Sequence, residues 1–137
     1  MGYAKTDILQ FLSDINADFN PPLSSKVNLD DYVNKIIQHS ELVIRADYSG
    51  IYGMVVLYAN DMTSRRAYVA LVGVKNAYRG RGIAKDMVRE TIAIAKDKGM
   101  TCVGIHSNNY VAIELYKSLG FVVKIDEERK YMEYDIK

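Results

Sequence analysis

The chain has 137 residues, 49% hydrophobic and 26% charged, so it can bury one core, and we expect residues 1–137 to form a single domain. A formal net charge of +1 leaves no broad basic surface, which argues against nucleic acid as a partner. One cysteine excludes an intramolecular disulfide, and no apolar run reaches the about 20 residues of a membrane span, so we expect a cytoplasmic protein with no membrane partner.

Two amphipathic helices are predicted before the first strand. Apolar residues at helical spacing place the first helix over residues 7–19, and Pro21 and Pro22 end it. Asn28 is the predicted cap of the second helix, because asparagine suits a helix N-terminus and an apolar stripe begins directly after it.

Three strands are expected next, over residues 42–46, 51–58 and 67–74. Short polar turns separate them, so strands that are neighbours in sequence should pair antiparallel. The third helix follows Gly82 and ends at Gly99, and it leads to a short buried strand over residues 101–105. Because a helical crossover joins parallel strands, this strand should run parallel to the one before the helix.

The end of the chain adds one helix and a hairpin. The fourth helix is predicted to begin at Asn108 or Asn109 and to end before Gly120, and residues 121–125 and 131–136 should pair across a charged turn. This order of elements predicts a mixed α/β fold, in which helices flank a central sheet that is mostly antiparallel.

Two glycines stand beside two arginines at the predicted junction of the third strand and the third helix. Gly80 and Gly82 can adopt conformations that aim successive backbone N–H groups at one point, and Arg79 and Arg81 add positive charge. This combination is typical of a site for the phosphates of a nucleotide-like cofactor. The dinucleotide fingerprint is incomplete, because its sixth position holds Lys85, and no P-loop Gly-Lys-Ser/Thr follows.

At this motif the chain resembles the GNAT superfamily of acetyl-CoA-dependent N-acetyltransferases. The family signature, Q/R-x-x-G-x-G/A, is matched here by Arg79-Gly80-Arg81-Gly82-Ile83-Ala84, which we call the glycine loop. A second family feature lies downstream, where the spacing of an asparagine, an alanine, a tyrosine and a Gly-Phe pair is matched by Asn109, Ala112, Tyr116, Gly120 and Phe121. The first strand that the family carries before its first helix is not evident in the sequence.

The resemblance implies the GNAT fold, acetyl-CoA as cosubstrate, and a role for each matched segment. The backbone amides of the glycine loop would bind the pyrophosphate of CoA, with Arg79 and Arg81 as candidate charge partners. The strand before the loop, near Val72 and Val74, would pair its backbone with pantetheine where two parallel strands splay apart. Asn109 would lie along the same arm. Tyr116 would protonate the departing thiolate; it also lies on the apolar stripe of the fourth helix, and the two roles are compatible, because the ring can pack in the core while its hydroxyl reaches the site.

The group that takes the proton of the acceptor amine is left open. Many relatives carry a glutamate on the strand before the glycine loop, and this chain has no acid there. His106 is a candidate because an unperturbed imidazole titrates near neutral pH, and a purely structural hydrogen bond is the alternative. Tyr68, Asp61 and Glu41 are weaker candidates, and His39 is expected only to cap the second helix.

The cysteine and histidine side chains predict neither a thiol nucleophile nor a metal site. Cys102 lies in an apolar strand, where a buried thiol stays protonated, so we interpret it as a core residue. One cysteine and two widely spaced histidines predict no metal site.

The function predicted from the resemblance is transfer of acetyl from acetyl-CoA to a primary amine, by direct attack in a ternary complex. The sequence does not decide among amino sugars, amino acids, polyamines and peptides as the acceptor, and it does not decide whether the protein forms a homodimer. A non-catalytic CoA-binding module or an interaction module on the same fold is the alternative. The candidates for lining an aromatic acceptor cleft are Tyr32, Tyr52, Tyr58, Tyr131 and Tyr134.

Overall fold

The computed structural model describes residues 3–19 and 21–136, which form helices on both sides of a six-stranded sheet. The helices are α1 (Lys5–Ile15), α2 (Leu29–His39), α3 (Ile83–Asp97) and α4 (Tyr110–Leu119). The strands are β1 (Glu41–Asp47), β2 (Gly50–Tyr58), β3 (Arg66–Val74), β4 (Cys102–Ser107), β5 (Val122–Ile125) and β6 (Lys130–Asp135).

The sheet has the strand order β1-β2-β3-β4-β6-β5. All neighbours pair antiparallel except β3 and β4, which are parallel because α3 crosses from the end of one to the start of the other. The prediction of a mixed, mostly antiparallel sheet flanked by helices is therefore confirmed. The final hairpin folds back so that β6 lies against β4 and β5 forms an edge.

The prediction that the first helix extends to residue 19 was wrong, because α1 ends at Ile15. A tight 3₁₀ turn follows, and Phe19 already has an extended backbone. The Asn16 side chain explains the early end. Its Nδ2 donates to the Ser24 hydroxyl at 2.8 Å and its Oδ1 accepts from the Ser24 N–H at 2.8 Å, so the connection is tied across the helix end.

Each side of the sheet has its own apolar cluster. The side that we call the first face is covered by α1 and α2 and includes Phe11, Leu12, Val33 and Met54, all almost fully buried. The second face is covered by α3 and α4 and includes Val55, Met87, Val88, Val103, Ile113 and Tyr116. Apolar burial on both faces stabilises the central strands and fixes their position.

We predict that the cap of α2 contributes measurably to stability. The Asn28 Oδ1 accepts from the N–H of Asp31 at 3.1 Å, so Asn28→Ala should lower the free energy of unfolding by about 1 kcal/mol. Asn34→Ala is the matched control, because Asn34 lies exposed in the same helix, where alanine is the better helix former. Urea unfolding should destabilise only the first variant, and equal destabilisation would show that the cap is not the cause.

Candidate active site

The parallel strands β3 and β4 pair along only the first part of their length. Backbone partners run from Arg66 opposite Cys102 to Val69 opposite Ile105, and no pair follows within the described strands. β3 continues to Val74 while its other edge stays paired to β2. The strands therefore leave a gap between them, and the edge of β3 that lines it has no strand partner.

A bulge in β3 lies at the start of this gap. Leu57 of β2 pairs with Val69 and its neighbour Val56 pairs with Leu71, so Ala70 is an extra residue in β3. A bulge bends the strand and interrupts the side-chain alternation. As a result Ala70 and Leu71 both pack toward the first face, whereas Val69 packs in the second.

Val72 and Val74, the predicted pantetheine contacts, lie on β3 beyond the bulge. The N–H of Lys75 donates to the carbonyl of Tyr52 on β2 at 2.9 Å. Because backbone groups alternate sides along a strand, the polar groups of Val72 and the carbonyl of Val74 then face the gap. The Val74 carbonyl already accepts from Nε of Arg79 at 3.0 Å, so the edge open to an extended amide chain is centred on Val72.

A 3₁₀ turn, Asn76–Tyr78, follows β3, and the glycine loop then runs into the first turn of α3. Gly80 and Gly82 have φ of +78° and +75°, and a Cβ on either would meet nothing within 4 Å. Within the described chain, the six N–H groups from Gly80 to Lys85 donate to no backbone carbonyl and no side chain caps α3. A row of free amides at a helix N-terminus is a ready anion site. Ile83 and Ala84 contribute two of these amides.

Arg79, by contrast, is held by the protein itself. Its N–H donates to the carbonyl of Asn76 at 3.2 Å, and its guanidinium donates to Asp18 at 2.7 Å. The free row of amides therefore begins at Gly80. The Asp18 contact ties the loop to the turn after α1, and no sequence signal pointed to it, since 61 residues separate the two partners.

Arg81 and its neighbour Tyr78 form a stack beneath the loop. The Arg81 guanidinium lies 5.4 Å from the Tyr78 ring, and its Nη2 donates to the carbonyl of Ala77 at 3.3 Å. The Tyr78 ring also stacks on Tyr52, with ring centres 4.3 Å apart and planes 5° from parallel. The Tyr78 hydroxyl donates to Asp47 at 2.7 Å, which lowers the pKa of that carboxyl. Tyr52 thus supports the glycine loop.

Tyr116 and Asn109 lie at the two ends of α4. Tyr116 is 5% exposed and packs against Phe121, and burial raises the pKa of its phenol to about 12. It therefore keeps its proton throughout the neutral range, as a proton donor must. The Asn109 Oδ1 accepts from the Ala112 N–H at 3.0 Å, so this asparagine caps α4. This cap gives a structural reason for the three-residue spacing between Asn109 and Ala112.

His106 lies among tyrosines on the first face. The Tyr68 hydroxyl and the His106 Nδ1 are 2.7 Å apart, and the ring of Tyr131 lies 4.7 Å from the imidazole. Burial raises the pKa of Tyr68, whereas burial and the charge of Arg129 lower the pKa of His106. At neutral pH the pair is therefore a protonated phenol beside a neutral imidazole.

Two further tyrosines lie beside this pair. Burial, followed by the neighbouring Tyr58 and Tyr68, raises the pKa of Tyr32 to about 12. The Tyr58 hydroxyl is fully enclosed and lacks a hydrogen-bond partner within the described chain. Tyr134, by contrast, packs against Phe121 on the second face, whereas Tyr32 and Tyr58 pack against the cluster of the first face.

The remaining titratable candidates take part in other contacts. Asp61 accepts from the backbone of Thr63 and Ser64 in an exposed turn, and Glu41 pairs with Lys98 at 3.3 Å. His39 lies exposed in the last turn of α2. The interpretation of Cys102 as a core thiol agrees with its burial, which raises its pKa.

Residues 3–19 and 21–136 contain no group of three or more His, Cys, Asp or Glu side chains placed to hold a metal ion. None of the helices described is both long and apolar enough to cross a membrane.

Known proteins match this chain in sequence. The sequence model of the Acetyltransferase (GNAT) family matches residues 8–121. Thialysine N-epsilon-acetyltransferase of Sus scrofa is 32% identical over 71 residues, which cover 50% of this chain and 42% of that protein. The N-alpha-acetyltransferase RimI of Mycobacterium tuberculosis is 35% identical over 63 residues, covering 46% and 39%. The matched segments thus span less than half the length of these curated relatives.

Solved structures share the fold at low sequence identity. The paia N-acetyltransferase of Thermoplasma acidophilum, in complex with coenzyme A, is 17% identical with a TM-score of 0.76, covering 96% of this chain and 92% of that one. The ribosomal-protein-alanine N-acetyltransferase of Brucella melitensis is 15% identical with a TM-score of 0.74, covering 99% and 98%. With a family model that spans most of its length and a fold shared with these structures, the chain belongs to the acetyltransferase (GNAT) family.

Proposed function

We propose that this chain transfers the acetyl group of acetyl-CoA to a primary amine. One observation carries the proposal: β3, whose edge is unpaired at Val72, leads into the row of free amides that runs from Gly80 to Lys85 in the described chain. An anion site that continues into an unpaired strand edge suits a ligand with a diphosphate at one end and amide groups along its chain.

Different residues would bind different parts of acetyl-CoA. The amides from Gly80 to Ala84 bind the pyrophosphate, and Arg81 leaves the Tyr78 ring to pair with a phosphate. Arg79 acts mainly as a tie, because Asp18 and the Val74 carbonyl already hold its guanidinium. The backbone of Val72 pairs with a pantetheine amide. Asn109 begins α4 close to the end of β4, where its side chain would flank the pantetheine arm.

The chemistry requires a proton donor and a proton acceptor. Acetyl-CoA supplies a thioester carbonyl to which the amine nitrogen bonds as the carbon–sulfur bond breaks. Tyr116 donates its phenol proton to the leaving thiolate, since burial holds that proton on the oxygen. His106 takes the proton that the amine loses, because its imidazole is neutral at the pH where amines carry a proton. The enzyme also holds the reacting groups together, which removes much of the entropic barrier.

The acceptor is an amine of a small molecule or of a peptide. The names of two relatives refer to an N-epsilon amine of thialysine and to an N-alpha amine, and both support this class. The aromatic first face around His106 is the surface on which we place the acceptor. A single domain, a cytoplasmic location and a homodimer stay predictions.

A direct assay tests the proposed activity. Purified protein is mixed with acetyl-CoA and with amino sugars, amino acids, polyamines and peptides in turn, and both thiol release and acetylated product are measured. We expect one amine class to release thiol and gain acetyl in equal amounts. Binding of acetyl-CoA without turnover on every amine would identify a non-catalytic CoA-binding module, and failure to bind acetyl-CoA would overturn the proposal.

We predict that Gly82→Ala weakens CoA binding about tenfold. Alanine disfavours the left-handed backbone, so the loop amides would no longer converge. Gly99→Ala is the matched control, because Gly99 at the other end of α3 has a similar φ of +83° and lies outside the site. Both variants should unfold at a lower temperature, and calorimetric titration should show weaker CoA binding only for Gly82→Ala. Equal affinities would place the pyrophosphate elsewhere.

We predict that Tyr116→Phe lowers kcat about 100-fold and leaves acetyl-CoA affinity within about twofold, because only the phenol proton is lost. Tyr48→Phe is the control, since Tyr48 is fully exposed in the β1–β2 turn and should retain full activity. With a pKa of about 12, Tyr116 should also sustain turnover until well above neutral pH. An unchanged kcat in Tyr116→Phe would remove this residue from the mechanism.

A further inference from the structure

The hydrogen bond between Tyr68 and His106 spans the two strands where they part. Tyr68 is the second-last residue of β3 to pair with β4, and His106 is the first residue of β4 beyond the last pair. Their side chains meet on the first face at 2.7 Å. The pair is therefore built at the mouth of the gap rather than in the closed part of the sheet.

Gly104 allows this arrangement. It lies opposite Tyr68 on β4, and a Cβ there would come within 2.9 Å of two ring carbons of Tyr131. With no side chain at Gly104, the Tyr131 ring can lie across the strand and pack against the imidazole of His106. The Tyr131 hydroxyl donates to Glu133, so it does not compete for His106.

The proton positions follow from the chemistry of the two groups. A phenol is the better donor and an imidazole nitrogen the better acceptor, so Tyr68 donates to Nδ1 and the neutral ring carries its own proton on Nε2. The charged or titratable groups around the pair include Tyr131 on β6, Arg129 in the turn before it, Tyr32 on α2 and Tyr58 on β2. Burial and then the charge of Arg129 lower the pKa of His106, so the imidazole is neutral at pH 7 and its Nδ1 is free of a proton.

The surroundings of the pair suit an ammonium group. Tyr32, Tyr58 and Tyr68 lie together there, and the Lys35 ammonium is 5.7 Å from the Tyr58 ring, within cation–π range.

We propose that Tyr68 is a catalytic residue that contacts the acceptor amine, and that Tyr68 and His106 together form a relay for its proton. The inference rests on the proposed acetyl transfer. The amine gives a proton to the Tyr68 oxygen as the phenol proton passes to Nδ1, so His106 becomes an imidazolium. The freed nitrogen lone pair forms the bond to the acetyl carbon, the carbon–sulfur bond breaks, and the thiolate takes the Tyr116 proton. The nitrogen then loses its second proton, which restores Tyr116 through solvent, and His106 releases the first proton to solvent.

The test compares Tyr68→Phe, His106→Gln and the double variant, with kcat/KM measured against pH on an amine that the wild type acetylates. Each single variant should lose about 100-fold at pH 7, because general base catalysis is removed. Without the relay the rate follows the free amine, so the loss should shrink to under about tenfold at pH 9. The double variant should lose no more than either single one, since the two residues act as a unit.

Two controls separate the relay from a structural role. Tyr48→Phe should retain the wild-type pH profile, and acetyl-CoA affinity and melting temperature should stay near wild type in Tyr68→Phe. A Tyr68→Phe enzyme with the wild-type pH profile overturns the relay and leaves acetyl transfer standing. If Tyr68→Phe does not fold, His106→Gln decides by the same profile. A wild type that acetylates no amine overturns both proposals.

Discussion

The parting of β3 and β4 is the constraint on which the rest of the site depends. The pairing ends after Val69 and Ile105, while β3 runs on to Val74 and β4 to Ser107. The extra residue Ala70 bends β3 away, and β2 keeps hold of its other edge. Apolar clusters on both faces bury side chains of the bent strand, so β3 stays fixed in the sheet although its pairing with β4 ends.

Side chains hold the glycine loop, which leaves its backbone free to bind. Tyr78 donates to Asp47, Arg79 pairs with Asp18, and Lys75 pairs with Asp14 at 3.0 Å. These contacts tie the loop to the β1–β2 turn and to the end of α1, and none of them uses an amide between Gly80 and Lys85. A loop held in place in this way loses little further freedom when a ligand binds, which favours affinity.

The two proton-transfer groups of the proposed reaction approach from opposite sides of the sheet. Tyr116 belongs to the cluster of the second face, whereas Tyr68 and His106 meet on the first. A closed sheet would keep them apart, and only the gap gives both sides access to one reacting centre. This separation also keeps the proton donor, Tyr116, in an apolar setting and the acceptor, His106, among tyrosines. Burial raises the pKa of Tyr116, which holds its proton, and lowers the pKa of His106, which keeps the imidazole neutral.

The sequence by itself determined the elements, the parallel crossover and the glycine loop, because each depends on local rules: apolar period, turn residues and the conformational freedom of Gly80 and Gly82. The tertiary structure alone decided which distant side chains meet. Asp18 with Arg79 and Tyr68 with His106 are brought together by the packing of α1 and by strand register, and neither leaves a periodic or compositional trace in the chain. For the same reason α1 ends before the predicted residue 19. The contacts between Asn16 and Ser24 exist only once the segment between α1 and α2 has folded back.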